Sequence, residues 1–320
     1  VQRRALARRP TFVEIDSPGG ENQRQELLQG LRAAQAAISP KFFYDALGSR
    51  LFEAICELPE YYLPRAERQI MQVHGEEIAA AVGPGCTLID LGAGNCEKAE
   101  RLFGLLRPAQ YVAIDISVDF LREKLECVQD RHPLLDIVGV GQDFSRRLVL
   151  PPQVRRQNRL FFYPGSSIGN FRPQEAAQFV GRIWDLCGPD GKLLLGVDLV
   201  KDRAALEAAY DDALGVTAAF NLNILNNVNR VLGSDFDVRD WRHVAFFNER
   251  ESRIEMHLEA KKEISVGLPD GPRAFRAGER MLTENSYKLP REAPAAAFGR
   301  DGAVWRDQQG NFATALLFRP

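Results

Sequence analysis

The chain has 320 residues, 45% of them hydrophobic and 26% charged, with 41 basic against 43 acidic side chains and a formal net charge of −2. That is the composition of an ordinary globular enzyme of one large or two moderate domains, and the near balance of charge leaves no electrostatic case for binding nucleic acid or an anionic membrane. No apolar run approaches the ~18 residues that span a bilayer, and neither the five cysteines nor the four histidines fall into a C-x-x-C or metal-ligand grouping, so the expectation is a cytoplasmic protein without a metal.

Residues 1 to about 20 are basic, then Pro/Gly-bearing, which predicts a mobile start with no signal-type apolar stretch. Leu27, Leu28, Leu31, Ala34 and Ile38 recur at the spacing of one helical face. An aromatic-rich helical segment follows over 42–58, and a third helix runs over 64–82 until Gly83-Pro84-Gly85 stops it. Strands then alternate with helices. Strands are predicted at 88–91, 111–115, 137–140, 159–163 and 192–199, with helices at about 97–105, 117–130 and 173–187. Connections of that length imply crossovers and a parallel sheet covered on both faces. After Val200 the pattern changes to a long helical stretch over 203–232, strands at 244–248, 254–260 and about 280–289, and a closing hairpin of 303–305 with 314–318. This predicts an α/β domain with a mostly parallel sheet over 65–200 and 291–320, plus a second α+β domain from 1–64 and 201–290.

The stretch Thr87-Leu88-Ile89-Asp90-Leu91-Gly92-Ala93-Gly94 is the most informative. A short apolar strand ends in a glycine turn, where no Cβ blocks a ligand, at the carboxyl edge of an open sheet. A dinucleotide fingerprint needs a third glycine where this chain has Glu97. An anion there disfavours a diphosphate and favours a cationic ligand without phosphates, S-adenosylmethionine. Asp115 ends the second strand roughly 20 residues past the turn, the usual place for an acid that accepts from ribose hydroxyls. Asp143 and Phe144 end the third strand, placed to receive the adenine amino group and to stack on the ring. Gly165-Ser166-Ser167 ends the fourth, at the reactive end of the ligand, and Lys98 is a partner for its carboxylate.

Longer strings carry a more specific signal. Phe42-Phe43-Tyr44-Asp45 with Gly48-Ser49, Leu58-Pro59-Glu60-Tyr61-Tyr62, Gly165-Ser166-Ser167-Ile168-Gly169-Asn170 and Asp198-Leu199-Val200-Lys201-Asp202 occur in order. Ala209-Tyr210-Asp211-Asp212, Gly215-Val216-Thr217-Ala218-Ala219-Phe220-Asn221 and Met281-Leu282-Thr283-Glu284-Asn285-Ser286 follow. From about residue 38 onward the chain resembles the histidine-specific Nα-methyltransferases of ergothioneine biosynthesis. The resemblance implies a Rossmann-like methyltransferase domain, a second domain that holds the amino acid, and trimethylation of the α-amine of L-histidine to hercynine. It implies that Asn170 and Tyr210 grip the substrate carboxylate, that Glu284 and Ser286 bind the imidazole, that Tyr61 reaches the ring through water, and that Met256 lines the ring pocket. Tyr44, Ser167 and Thr217 fall near the amine and the transferred methyl, and Gly92, Lys98, Asp115, Asp143, Phe144 and Gly165 match contacts to S-adenosylmethionine. The family loop carries Ser or Thr where this chain has Asn95-Cys96, a departure that bears on affinity for the methyl donor.

The chemistry agrees with this pattern. Methyl transfer from a sulfonium is an in-line displacement that needs positioning of an uncharged amine rather than a strong base. A carboxylate such as Glu284, accepting from an imidazole N–H, rejects phenylalanine by ~10⁴-fold or more, because the analogue leaves it buried and unpaired. The alternatives are a related enzyme acting on tryptophan or another amino acid, an inactive binding module, and an oxidoreductase, the last opposed by Glu97. The expected partner is the small-molecule substrate, the expected state a monomer, and the sulfur-inserting step of the pathway is expected to reside in a separate enzyme.

Overall fold

The computed structural model describes residues 8–16, 20–292, 298 and 302–319. Its main element is an 8-stranded sheet. From one edge the strands are β1 (Thr11–Glu14), β4 (Ile137–Gly141), β3 (Gln110–Asp115), β2 (Thr87–Leu91), β5 (Arg159–Tyr163), β6 (Lys192–Asp198), β13 (Phe312–Phe318) and β12 (Gly302–Arg306). The strands from β1 to β6 are mutually parallel, and β13 and β12 close the far edge antiparallel. Every residue of β2, β3 and β4 is buried, as a parallel sheet covered on both sides requires.

Strand periodicity sorts those side chains into two layers. Leu88, Tyr111, Leu160, Phe162 and Leu194 join α3 (Leu63–Val82) and α6 (Val118–Arg131) on one face. Ile89, Val112, Phe161, Tyr163 and Leu195 join α7 (Pro173–Cys187) on the other. The chain leaves β2 toward β3 and β4, then returns to add β5 and β6 on the opposite side. That reversal opens a crevice at the carboxyl ends of β2 and β5, the expected ligand site of such a sheet.

The second unit holds a three-stranded antiparallel sheet, β11 (Arg280–Tyr287), β8 (Arg253–Ala260) and β7 (Trp241–Asn248), and the hairpin β9 (Ile264–Leu268)–β10 (Gly271–Phe275). Helices α1 (Glu21–Arg32), α2 (Ala46–Cys56) and α9 (Val216–Leu232) pack beside them. Phe43 stacks on Phe220 at 4.5 Å, and Asp45 caps α2 by accepting from the Gly48 N–H at 2.7 Å. A side chain at Gly48 would collide with the Phe43 carbonyl, so the glycine allows the tight passage from Tyr44 into the helix. The apolar cluster that contains Leu88 and Ile70 continues without a break through Phe43, Phe220 and Trp241, so both units share one core.

Four local expectations need correction. Residues 11–14, expected in a mobile start belonging to the second unit, are an edge strand of the large sheet: Phe12 fills the space above Gly139, and Arg122 lies 4.0 Å over its ring. The helix expected over 97–105 is two short ones, α4 (Glu97–Glu100) and α5 (Phe103–Leu106). The stretch 203–232 is likewise divided into α8 (Arg203–Ala208) and α9, because Gly215 takes φ +74° and the Asp212 carboxylate receives the Val216 and Thr217 N–H groups, which starts a new helix. The 263–278 stretch, assigned no element, forms β9 and β10.

Asp90, in the middle of the sheet, accepts from the Tyr111 hydroxyl at 2.9 Å, and burial pushes its pKa up to about 7. Its native value lies above that of an unfolded carboxylate, so the native state holds the proton more tightly and stability falls as pH rises from about 4 toward 7. Asp90→Asn is expected to stabilise the ligand-free protein more at pH 8 than at pH 5, as read by urea unfolding at the two pH values.

Candidate active site

Gly165-Ser166-Ser167 leaves β5 with φ of +73° at Gly165 and +62° at Ser166, then turns through a short 3-10 segment, Ser167–Asn170. Gly169 sits so close to β11 that a Cβ would stand 2.8 Å from the Tyr287 carbonyl oxygen. This contact seats the end of β5 against the second unit and makes the floor of a cavity. In β11, a bulge lies between Leu282 and Glu284, where the Thr283 hydroxyl donates to the Met256 carbonyl at 3.0 Å. The bulge sets Glu284 opposite Met256, and a bulge beside a site commonly re-aims a side chain in this way.

The cavity encloses about 510 Å³ of free space with its mouth. Tyr44, Ser167 and Thr217 line it, as do Tyr61, Asn170, Tyr210, Met256, Glu284 and Ser286. Gly165 borders it on the side of the sheet crevice. Phe52, Ile55, Ala209 and Phe220 complete the wall, and sequence reasoning assigned them no role because they read as ordinary core positions. Tyr61 meets Tyr210 edge to face at 6.1 Å, and Tyr44 meets Phe52 and Phe220 at 5.6 and 5.8 Å.

Burial raises the pKa of Tyr44, Tyr61 and Tyr210, so all three present neutral hydroxyls at physiological pH. Burial also pushes Glu284 up to about 7, against the pull of nearby Lys288. Behind the wall, Asp198 at the end of β6 accepts from the Tyr62 hydroxyl at 2.7 Å and from Lys288 at 2.9 Å, and pairs with Lys201 on its other oxygen. Burial would raise the Asp198 pKa, yet Lys288 and Lys201 outweigh it and hold the carboxyl below the usual range. Lys288 escaped sequence reasoning, although residues 284, 286 and 288 alternate onto one strand face.

Around the sheet crevice, Gly92 and Gly94 take φ of +71° and +52°, and the Phe144 ring lies 3.7 Å from where a Gly92 Cβ would be. Asp115 accepts from the Gly94 N–H at 2.9 Å and the Ser117 N–H at 2.8 Å, which shapes the loop and leaves lone pairs for hydroxyl donors. Asp143 is shared between Lys41, at 2.6 Å, and the Ser145 N–H and hydroxyl. Lys98 pairs with Glu67 at 2.8 Å, and the other Glu67 oxygen accepts from the Gly165 N–H at 2.8 Å. Glu67 was missed as well. Its carboxylate occupies the space that a side chain on Gly196 of β6 would fill. Positive-φ glycines, a buried acceptor and a lysine beside Gly165 fit a nucleoside joined to a zwitterionic amino-acid tail.

The sequence profile of the S-adenosylmethionine-dependent, histidine-specific methyltransferases matches residues 23–319. The chain belongs to this family. A histidine N-alpha-methyltransferase of Mycolicibacterium smegmatis is 41% identical over 318 residues, covering 96% of this chain and 98% of the relative. One of Mycobacterium tuberculosis is 40% identical over 303 residues, covering 92% of this chain and 94% of that protein. The ergothioneine biosynthesis protein 1 of Neurospora crassa is 33% identical over 261 residues, which make up 78% of this chain and 29% of that protein. The chain is thus an S-adenosylmethionine-dependent methyltransferase with a small-molecule substrate. No helix among its described residues is long and apolar enough to cross a membrane.

For this methyltransferase, the tight fit of Glu67 over Gly196 makes a direct prediction. Gly196→Ala should overpack the crevice, costing roughly 1–3 kcal/mol of stability and weakening the binding of S-adenosylhomocysteine. Denaturant unfolding and titration calorimetry read the two effects.

Proposed function

We propose that the enzyme transfers three methyl groups in succession from S-adenosylmethionine to the α-amine of L-histidine, giving hercynine. The observation that carries this reading is Glu284, an acidic group on the wall of a cavity otherwise built from aromatic rings, hydroxyls and Met256. It offers an acceptor to an imidazole N–H, which phenylalanine lacks, and Met256 opposite it offers apolar contact to the ring face.

In this reading Ser286 and Tyr61 stand beside the ring, and Asn170 and Tyr210 hold the carboxylate. Both ends of the amino acid are then anchored, and the amine projects toward Gly165 at the crevice. On the donor side, Asp115 takes the ribose hydroxyls, Asp143 and Phe144 the adenine, Lys98 the methionine carboxylate, and Gly92 and Gly165 allow close approach of the backbone. The large sheet, spanning residues 65–200 and 291–320 with 11–14 added, binds the methyl donor, and the remainder binds the amino acid. All five cysteines are unpaired, which supports a reducing, cytoplasmic setting.

The amine enters uncharged, its proton lost to water, and its lone pair attacks the methyl carbon in line as the carbon–sulfur bond breaks and the neutral thioether leaves. The ammonium formed in each of the first two transfers gives a proton to water before the next. Tyr44, Ser167 and Thr217 orient the nitrogen with neutral hydroxyls. None offers a fixed charge to the amine, so the same wall tolerates a nitrogen that loses hydrogens and gains methyls at each step. Anchoring the two other groups keeps the register through all three transfers.

Mass spectrometry of purified protein with S-adenosylmethionine and a mixture of the common amino acids tests the reading. A product three methyl groups heavier than histidine, with other amino acids unchanged, is expected; methylation of tryptophan instead would overturn the substrate. Glu284→Ala should lower kcat/KM for histidine by on the order of 100-fold, as loss of a charged hydrogen bond does, and leave S-adenosylhomocysteine affinity unchanged by calorimetry.

A further inference from the structure

We propose that Lys288 is a positioning and specificity-determining residue: it commits the Tyr210–Ser286 hydroxyl pair to donating one hydrogen bond into the cavity, and so selects a ligand that carries a carboxylate. The inference rests on the histidine reading above and extends it to a residue that does not itself line the cavity.

Lys288 follows β11, on the same face as Glu284 and Ser286, and its side chain is 0% exposed. Its ammonium has three hydrogens, and three acceptors surround it: Asp198 Oδ2 at 2.9 Å, Ser286 Oγ at 2.9 Å and Tyr210 Oη at 3.0 Å. The ammonium is therefore fully used and makes no contact with a ligand. Its effect passes through the two hydroxyls, which lie 2.8 Å from each other. Each hydroxyl oxygen receives a hydrogen from Lys288, so neither needs to turn its own hydrogen back toward the lysine. Between them two hydroxyl hydrogens remain. One bridges the pair; the other has no acceptor inside the cluster and points into the cavity that both residues line. A ligand carboxylate is a stronger acceptor than a hydroxyl and draws the more acidic phenol hydrogen, which leaves Ser286 to supply the bridge to Tyr210. Ser286 keeps a lone pair for the ring.

Lys201 and Lys288 share the Asp198 carboxylate, with side-chain exposures of 3%, 0% and 0%, and Lys288 also acts on Glu284 of the same strand face. Asp198 already receives Lys201, the Tyr62 hydroxyl and the Leu199 N–H, so neutralising it does not require a second lysine. The Lys288 ammonium lies directly behind Tyr210 and Ser286, in an interior where little water screens it. A ligand carboxylate there accepts the oriented O–H in a charge-assisted bond; a hydroxymethyl group accepts it only as a weaker neutral bond, and a hydrogen cannot accept it.

The test compares L-histidine with histamine, which has the same ring and amine but no carboxylate, by calorimetry on protein saturated with S-adenosylhomocysteine. The wild-type protein should bind histidine at least ~10-fold more tightly; equal affinity overturns the proposal. Lys288→Met, which leaves Asp198 its Lys201, Tyr62 and Leu199 partners, should lose histidine affinity by on the order of 10- to 100-fold, with histamine and S-adenosylhomocysteine affinities retained and KM for histidine rising more than kcat falls. Equal weakening of histidine and histamine would show a merely structural lysine and overturn the proposal. If Lys288→Met does not fold, Lys288→Leu is measured by the same histidine and histamine comparison under the same two criteria. A wild-type protein that binds neither histidine nor histamine would overturn the substrate reading and this proposal together, a result distinct from a lost preference in the variant alone.

Discussion

Asp198 is the point on which the two units and the cavity all depend. It ends β6 of the large sheet; Tyr62 comes from the residue before α3, Lys201 from the connection out of the sheet, and Lys288 from the end of β11. Backbone bonds continue the junction: the Leu289 N–H donates to the Asp198 carbonyl and the Val200 N–H to the Leu289 carbonyl, each at 2.9 Å. A fully buried carboxylate with cations on both oxygens is costly to break, since removing one partner of such a pair strands the other without water. The relation between sheet crevice and amino-acid cavity is thus held by an interaction that has no cheap intermediate state.

The same economy of space governs the methyl-donor side. Glu67 reaches from α3 to the end of β5 because Gly196 leaves room on β6, and it ties Lys98 to the Gly165 turn. Lys41 and Ser117 perform the matching service on the opposite flank, one bound to Asp143 and the other to the Tyr44 carbonyl at 2.7 Å. Tyr44 is therefore held from both units: its carbonyl by the sheet side, and its neighbour Asp45 by Asn223 of α9 at 2.9 Å. The Tyr44 side chain is thereby fixed at the cavity wall.

Much of the sheet was legible because its strands are buried on both faces and read as apolar runs ended by Gly or Asp; β2 through β6 fall close to the expected ranges. The misses share a cause. Four residues of β1 carry too little pattern to distinguish a strand from a tail, and their strand character comes from pairing with β4. β9 and β10 are only five residues each, with Val266, Leu268 and Phe275 buried between exposed positions and Pro272 interrupting the pattern, and mutual pairing defines them. The single helix expected over 203–232 overlooks the backbone turn at Gly215, where positive φ precedes α9; the break between α4 and α5 falls at Arg101 and Leu102, which keep right-handed dihedrals and give no turn signal.

The order of strands and helices, the glycine turn after β2, the acids at the ends of β3 and β4 and the family strings were determined by the sequence itself, because each is a local pattern of burial period, turn chemistry or residue identity. Residue 284 could be singled out from its string, but its position opposite Met256 depends on a bulge that only strand pairing creates. Glu67 and Lys288 stayed undistinguished among the charged residues of the chain, and Asp198 and Lys201 stood in a family string without a role. What sets them apart is burial and mutual contact across separations such as the 98 residues between Glu67 and Gly165. Folding decided those relations, since charge becomes informative only when removal from water forces it to find a partner.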